Sequence, residues 1–370
     1  MKYYIIAGEA SGDLHGSNFM RALKAIDAEA QFRFWGGDLM KSVDNNLVKH
    51  YKDLAFMGFL EVILNLKTII SNINFCKKDI NKFKPDCIIF IDYPGFNLRI
   101  AKWAKSNGIK THYYISPQIW AWKENRINQI KRDIDYMHVI LPFEKVFYEE
   151  KHNMAVNFVG HPLIDAISKR ENLKKQSFLK KYNLSEKPIV ALLPGSRKQE
   201  IRKMLKIMLS VVDDFSEHQF VIAGAPSQKS TFYKSFIKTK SVKFIENATY
   251  DLLNHSKAAI VTSGTATLET ALFKVPQIVC YKSSWISYQI GKRLVNLYFI
   301  SLVNLIMDRE VVCELIQDKL NKTNLSNELK KILSTKKENK IKLDYIKLNK
   351  KLGGVGASEK VARSVLESLF

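Results

Sequence analysis

Three short stretches of this 370-residue chain combine glycine, hydroxyl and charged side chains at spacings suited to binding or moving charge. ALLPGSRKQEI sets Gly195, Ser196 and Arg197 between an apolar, strand-like run and a helix-like one. The glycine and serine supply a tight turn with backbone N–H donors, and the Arg197 guanidinium is a fork matched to a diphosphate. VTSGTATLETALF repeats the form, with Ser263, Gly264 and Thr265 between strand and helix. The hydroxyls of Ser263, Thr265 and Thr267 suit capping of that helix or binding of phosphate oxygens beside its N-terminus. Glu269 lies one turn further in, where a carboxylate can take the two hydroxyls of a ribose. Ordinary capping explains either turn alone. Two anion-binding turns and a guanidinium in one half of the chain favour a nucleotide diphosphate.

The third stretch, GEASGDLHG at residues 8–16, runs from the apolar YYIIA into a helix-like NFMRALKAI. It has neither the Gly-Lys-Ser/Thr of a P-loop nor the G-x-G-x-x-G of a dinucleotide site. Asp13 near a helix start suits the helix dipole but repels an incoming phosphate. Gly12 and Gly16 lie one turn apart on one face, so either a neighbouring strand or a ligand can approach the backbone there. A D-x-D pair, Asp133 and Asp135, precedes the strand-like YMHVILPF instead of ending a strand, so it reads poorly as a metal clamp. The four cysteines form no C-x-x-C and the eight histidines no H-E-x-x-H, so no metal site is expected.

These residues need elements to hold them. YYIIA, QFRFWG, DCIIFID, KTHYYIS, YMHVILPF and NFVG punctuate the first half; PIVALLPGS, QFVIAGAP, VKFIE, AAIVTSG and PQIVCY punctuate the second. Apolar strands alternating with helical patterns predict α/β architecture with parallel sheets covered on both faces. The length and the charged stretch at residues 168–188 predict two doubly wound, Rossmann-like domains facing a cleft. A last helix after GGVGASEK crosses back to the first domain or exchanges with a partner chain. No leader peptide and no apolar run of spanning length is apparent, and scattered cysteines fit a reducing cytoplasm. The formal charge of +22 points to an anionic partner, although a Lys- and Asn-rich genome bias produces the same excess. Nucleic acid is not expected, since no RNP, zinc-finger or helix-turn-helix pattern accompanies the charge.

The ordered series GEASGD, FMGFLEV, IDYPGFN, SPQIWAW, LPFEKVFY, FVGHP, LLPGSR, SGTATLE and KRLVNLYFISLVNLI resembles the lipid-A-disaccharide synthases over nearly the whole chain. These are inverting glycosyltransferases of the GT-B fold. The resemblance implies condensation of UDP-2,3-diacylglucosamine with 2,3-diacylglucosamine 1-phosphate to the β-1,6-linked lipid A disaccharide 1-phosphate, with release of UDP and no cofactor. It implies an acceptor- and lipid-binding domain over 1–168, a UDP-sugar domain over 186–345, and a C-terminal helix within 346–370. Asp92, which closes the apolar strand of DCIIFIDYPGFN before a Pro-Gly turn, is the implied general base; a structural turn cap is the alternative. Glu9 and Asp13 are second choices for base or sugar contacts, Gly12 admits the sugar or diphosphate, and Asn304 matches an asparagine near the active site or is a helix-capping amide. Gly195, Ser196, Arg197, Ser263, Gly264, Thr265 and Glu269 complete the UDP-sugar set.

The acyl chains need a surface as well. LAFMGFLEVILNLKTII, residues 54–70, is apolar yet broken by charge, so Phe56, Met57, Phe59 and Leu60 are expected to bind acyl chains or dip into an anionic inner membrane from its cytoplasmic face. LVNLYFISLVNLIM reads as core, Trp120 and Trp122 as packing rather than a sugar platform, and His15 and His161 as structural. A homodimer remains open. The rival readings are a UDP-GlcNAc 2-epimerase and the peptidoglycan GlcNAc transferase, against which IDYPGFN and SPQIWAW argue.

Overall fold

The computed structural model describes all residues except 55–65, 169, 226–227, 238, 240, 285–287 and 290–297. The expected acyl-binding residues Phe56, Met57, Phe59 and Leu60 therefore lie outside the described residues. The chain forms two compact units, Met1–Lys169 with Leu352–Phe370, and Arg170–Lys351.

The first unit is built on seven parallel strands: β1 (Lys2–Ala7), β2 (Gln31–Gly36), β3 (Leu47–His50), β4 (Cys87–Ile91), β5 (Lys110–Tyr114), β6 (Tyr136–Val139) and β7 (Asn157–Phe158). Their order in the sheet is β3-β2-β1-β4-β5-β6-β7. Strands covered on both faces read as unbroken apolar runs, and CIIFI of β4 is buried at every position. Helices such as Ala10–Ile26, Leu66–Phe83 and Pro94–Ser106 supply the covering layers.

The second unit has six parallel strands: β8 (Ile189–Leu193), β9 (Gln219–Gly224), β10 (Val242–Glu246), β11 (Ser256–Thr262), β12 (Gln277–Tyr281) and β13 (Cys313–Ile316), in the order β10-β9-β8-β11-β12-β13. The charged stretch 168–188 holds a helix, Lys175–Lys181, whose Phe178 and Leu179 enter this unit's core.

Both sheets reverse their winding once, between β1 and β4 in the first and between β8 and β11 in the second. Loops leaving the carboxyl ends of such a strand pair diverge to opposite faces and open a crevice, where ligands of doubly wound sheets bind. These two points are where site residues belong.

The last helix, Ala357–Glu367, folds onto the first unit, along the helix Ala10–Ile26. The buried Asp165 carboxylate accepts the N–H groups of Gly356 (2.6 Å) and Ser358 (3.0 Å) and so caps its start. Just upstream the chain runs close to residue 160: His161 N–H donates to Leu352 O at 2.9 Å, and a Cβ on Gly160 would lie 3.0 Å from that same oxygen. Among the described residues no helix is long and apolar enough to cross a membrane.

Candidate active site

At the switch point of the first sheet β1 and β4 run side by side, Ala7 opposite Ile91. The residues that follow them, Glu9 and Asp92, are thereby brought to one crevice. Asp92 and Tyr93 both have left-handed backbone, with φ of 45° and 50°. Two successive non-glycine residues there cost about 1–2 kcal/mol each, so the surroundings must hold them. Asp92 O accepts from Tyr113 Oη and from Asn97 Nδ2, each at 2.6 Å, and Asp92 N–H donates to Tyr114 O at 3.1 Å. Burial, with the Glu9 carboxylate nearby, pushes the Asp92 carboxyl up to about 6 against the opposing Tyr93 N–H bond. The result is a pinned carboxylate more basic than a free aspartate yet ionised at neutral pH, which suits a general base.

The glycines of GEASGDLHG are spaced for protein contacts. A Cβ on Gly8 would stand 2.3 Å from the Tyr93 ring, one on Gly12 3.1 Å from Ala7 Cβ, and one on Gly16 2.7 Å from Met40 Sδ. Gly12, expected beside the sugar or diphosphate, is instead buried where the first helix crosses the end of its own strand. Asp13 is corrected likewise. It is buried, and its carboxylate accepts the N–H groups of Gly37 (2.7 Å), Leu39 (3.0 Å) and Met40 (2.9 Å), fixing the start of the short helix Asp38–Lys41. Glu9 is exposed at the rim and remains available to a ligand.

The second switch point gathers the two hydroxyl-bearing turns. Val261 of β11 pairs with Leu193 of β8, so Gly195, Ser196 and Arg197 lie beside Ser263, Gly264 and Thr265 at one sheet edge. Gly195 has φ +101°, a conformation glycine adopts without strain. Arg197 opens the helix Lys198–Leu209, and its guanidinium is exposed without a partner among the described residues. The Ser196 N–H is engaged, donating to Glu200 Oε2 at 3.2 Å, and that carboxylate fills the space a Cβ on Gly195 would need. Gly264 and Thr265 are exposed at the start of the eight-residue helix Thr265–Leu272. Tyr250 Oη donates to Glu269 Oε1 at 2.8 Å, and burial raises the Glu269 carboxyl despite that bond.

Asn304 serves as a buried cross-link. Its Nδ2 donates to Val312 O (2.9 Å) and Glu314 Oε1 (2.8 Å), and its Oδ1 accepts from Val311 N (2.8 Å) and Val312 N (3.1 Å). With every side-chain position taken, it supports the segment whose Ile300 O accepts from Ser263 Oγ at 3.0 Å. The D-x-D is also spent internally: Asp133 pairs with Arg132, and Asp135 binds Thr111 and Lys105. Among the described residues no three His, Cys, Asp or Glu side chains gather as metal ligands. Burial holds His15 at about 4 and His161 at about 3, so both rings are neutral at pH 7.

One carboxylate escaped the sequence. Glu144 is buried behind β6, where its Oε2 accepts Ile140 N–H (3.1 Å) and Leu141 N–H (2.9 Å) and its Oε1 accepts Trp120 Nε1–H (3.3 Å). Burial pushes it up to about 7 against those three donors, with a further push from the charge of Asp92. The signal available was Pro142 and Glu144 at the first and third positions of a helix, a start whose glutamate reaches back to its own N-terminus. That pattern announces a cap and is silent about the tryptophan.

The lipid-A-disaccharide synthetase family profile matches residues 3–367. The chain belongs to the lipid-A-disaccharide synthetase family. A lipid-A-disaccharide synthase of Syntrophus aciditrophicus is 40% identical over 367 residues, covering 97% of this chain and 95% of its own. One from Coxiella burnetii is 38% identical over 335 residues, covering 89% and 88%. Solved structures with the same fold include an S. aureus MnaA–UDP co-structure, with a TM-score of 0.69, 13% identity, and coverage of 100% of this chain and 97% of that one. A Methanocaldococcus jannaschii UDP-GlcNAc 2-epimerase in complex with UDP-GlcNAc and UDP gives a TM-score of 0.66 at 16% identity, covering 99% and 100%. The architecture is thus GT-B, and the epimerase shares the fold alone.

Proposed function

We propose that this enzyme joins UDP-2,3-diacylglucosamine to 2,3-diacylglucosamine 1-phosphate, forming the β-1,6-linked lipid A disaccharide 1-phosphate and releasing UDP. Family membership supports the reaction. The observation that carries the assignment of roles is the placement of a basic carboxylate at one switch point and of two hydroxyl-bearing turns with an open guanidinium at the other. The first unit binds the acceptor; the second binds the UDP-sugar.

Asp92 takes the proton of the acceptor 6-hydroxyl as that oxygen attacks the anomeric carbon from the face opposite UDP. The bond from that carbon to the diphosphate oxygen breaks, the configuration inverts, and UDP leaves with the electron pair. Glu9 orients a sugar hydroxyl and, through its charge, keeps Asp92 basic. The departing charge is met by Arg197 and by the N-terminus of the helix Thr265–Leu272, which Ser263, Gly264 and Thr265 introduce. Glu269 receives the ribose hydroxyls. The diphosphate takes over the Ser196 N–H and displaces Glu200 from it.

The protein acts as a peripheral enzyme on the cytoplasmic face of the inner membrane, and the apolar sequence at residues 56, 57, 59 and 60 binds anionic lipid or acyl chains. A homodimer is compatible with this role. Incubation with both lipid precursors, followed by mass spectrometry, tests the assignment: UDP and the disaccharide 1-phosphate are expected together. UDP released without disaccharide, or epimerised sugar nucleotide, overturns it.

A further inference from the structure

The motifs SPQIWAW and LPFEKVFY have no part in the chemistry above, yet the structure ties them together at the edge that carries Asp92. Asp92 follows β4, the turn 115–123 follows β5, and Glu144 follows β6; these strands are neighbours and parallel. The turn between Ile115 and Lys123 is bounded by two residues with left-handed backbone, φ +67° and +57°. For a β-branched residue such as Ile115 this is a rare outlier, and such strain persists only where the surroundings fix it, commonly at a ligand site.

Three contacts do the fixing: Trp120 Nε1–H donates to Glu144, the Trp120 ring meets Phe143 edge-on at 4.7 Å, and Ser116 Oγ and Tyr148 Oη share a hydrogen bond of 2.7 Å. Two residues beyond the anchored Trp120, Trp122 is 48% exposed, with the Lys123 ammonium 4.4 Å from its ring centre. Of the two tryptophans expected to pack, Trp120 is held by Phe143 and Glu144, whereas Trp122 is exposed. The ammonium lies over one face of the indole; the exposed remainder of the ring suits the C–H face of a pyranose, and the ammonium suits a phosphate.

We propose that Glu144 is a positioning residue which, through Trp120, holds the turn 116–123 so that Trp122 and Lys123 receive the phosphorylated acceptor sugar. The inference rests on the reaction assigned above and names a subsite for its acceptor. Above about pH 7, where it is ionised, Glu144 offers acceptors to all three of its donors. In Glu144→Gln the amide oxygen can still take the two backbone N–H groups, but the amide NH2 then faces the indole N–H, donor against donor. That substitution releases Trp120 with little change of shape, and Trp120→Phe removes the same bond from the other side.

Steady-state kinetics of the full-length protein, varying each lipid substrate in turn, read the outcome. Wild-type production of UDP and disaccharide is the first control; its failure sinks the assigned reaction and, with it, this subsite. Glu144→Gln and Trp120→Phe should each raise the acceptor KM about tenfold, with kcat and donor KM within about twofold. The double variant should be no worse than the worse single one, because both act through one link. Trp122→Ala and Lys123→Ala should raise the acceptor KM with unchanged melting temperature. If Glu144→Gln does not fold, Trp120→Phe and the two exposed variants still decide. The proposal fails if acceptor KM is unmoved, if both KM values rise together as the melting temperature falls, or if the exposed variants lose only binding to anionic vesicles, which would make the turn a membrane contact.

Discussion

Replacing Asp92 by Asn should damage the reaction and help the fold, and the two effects should part company with pH. As the proposed base, Asp92 is worth about 10²- to 10⁴-fold in turnover. The same carboxylate is a burden when charged. Its pKa stands at about 6 in the folded protein against an ordinary 3.8. That shift corresponds to about 3 kcal/mol. The side chain is only partly buried, and water reduces the figure to about 1–2 kcal/mol. The sign follows from linkage. Below about pH 4 the acid is protonated in folded and unfolded chains alike, so Asp and Asn should be equally stable. Between about pH 4 and 6 the unfolded chain gives up this proton while the folded one keeps it, so the wild type loses stability across that window, the loss is complete above 6, and Asp92→Asn escapes it. At pH 8 the variant should gain about 3–6 °C in the transition of the first unit, with the gain gone at pH 4. Calorimetry at the two pH values, paired with UDP release per folded molecule, makes the test. Near-normal turnover would move the base to Glu9. A variant less stable at pH 8 would show that the Asp92 charge is a structural asset, and the reasoning from burial would fall.

Arg197→Ala should lose about 10²- to 10³-fold in turnover and Arg197→Lys should recover only part, since the fork is lost; EDTA should leave the wild-type rate within about twofold, and recovery of an abolished rate by Mg²⁺ would remove Arg197 as the leaving-group clamp. Gly8→Ala places a Cβ 2.3 Å from the Tyr93 ring, so it should cost about 1–3 kcal/mol in denaturant unfolding and slow turnover by displacing the Asp92 turn. Asn304→Ala strands buried donors and acceptors and should cost about 2–4 kcal/mol, while the folded fraction turns over within about threefold of wild type; a large loss of turnover at unchanged stability would return Asn304 to the chemistry. Changing Phe56, Phe59 and Leu60 to Ser should weaken co-sedimentation with anionic vesicles and leave UDP binding intact; unchanged co-sedimentation would remove the lipid role from that stretch.

The strands were legible because parallel strands buried on both faces, such as CIIFI and IVALL, are written as unbroken apolar runs. The turns after them were legible as turns, because glycine with hydroxyls between an apolar run and a helical pattern marks a tight turn and a helix start, whatever it binds. What the sequence withheld was partnership. Asp13 and Asp92 look alike on paper, each an acid where a strand gives way to a helix. One is consumed by three N–H groups from the segment 37–40 and the other is left basic, a difference made by residues far along the chain. Glu200 covering the Gly195 turn and Glu144 reaching Trp120 are likewise contacts of packing, and periodicity carries no record of them. Strand order belongs to the same class. It placed Glu9 next to Asp92, although 83 positions separate them.

The last helix has a consequence for how the molecule is made. The helix Ala10–Ile26 is synthesised long before Ala357–Glu367, the helix that covers one of its faces. Between the two parts of the first unit, all 182 residues of Arg170–Lys351 must be translated. At cellular elongation rates this takes about 10–40 s. Throughout that interval the nascent first unit is a seven-stranded sheet with one flank bare, and the second unit is free to collapse ahead of it. The first unit can therefore be completed only after the second has been synthesised, and the bare flank is open to chaperones in the meantime. A premature stop between residues 170 and 356 removes the cover from a unit whose other elements are already made, so such fragments should aggregate.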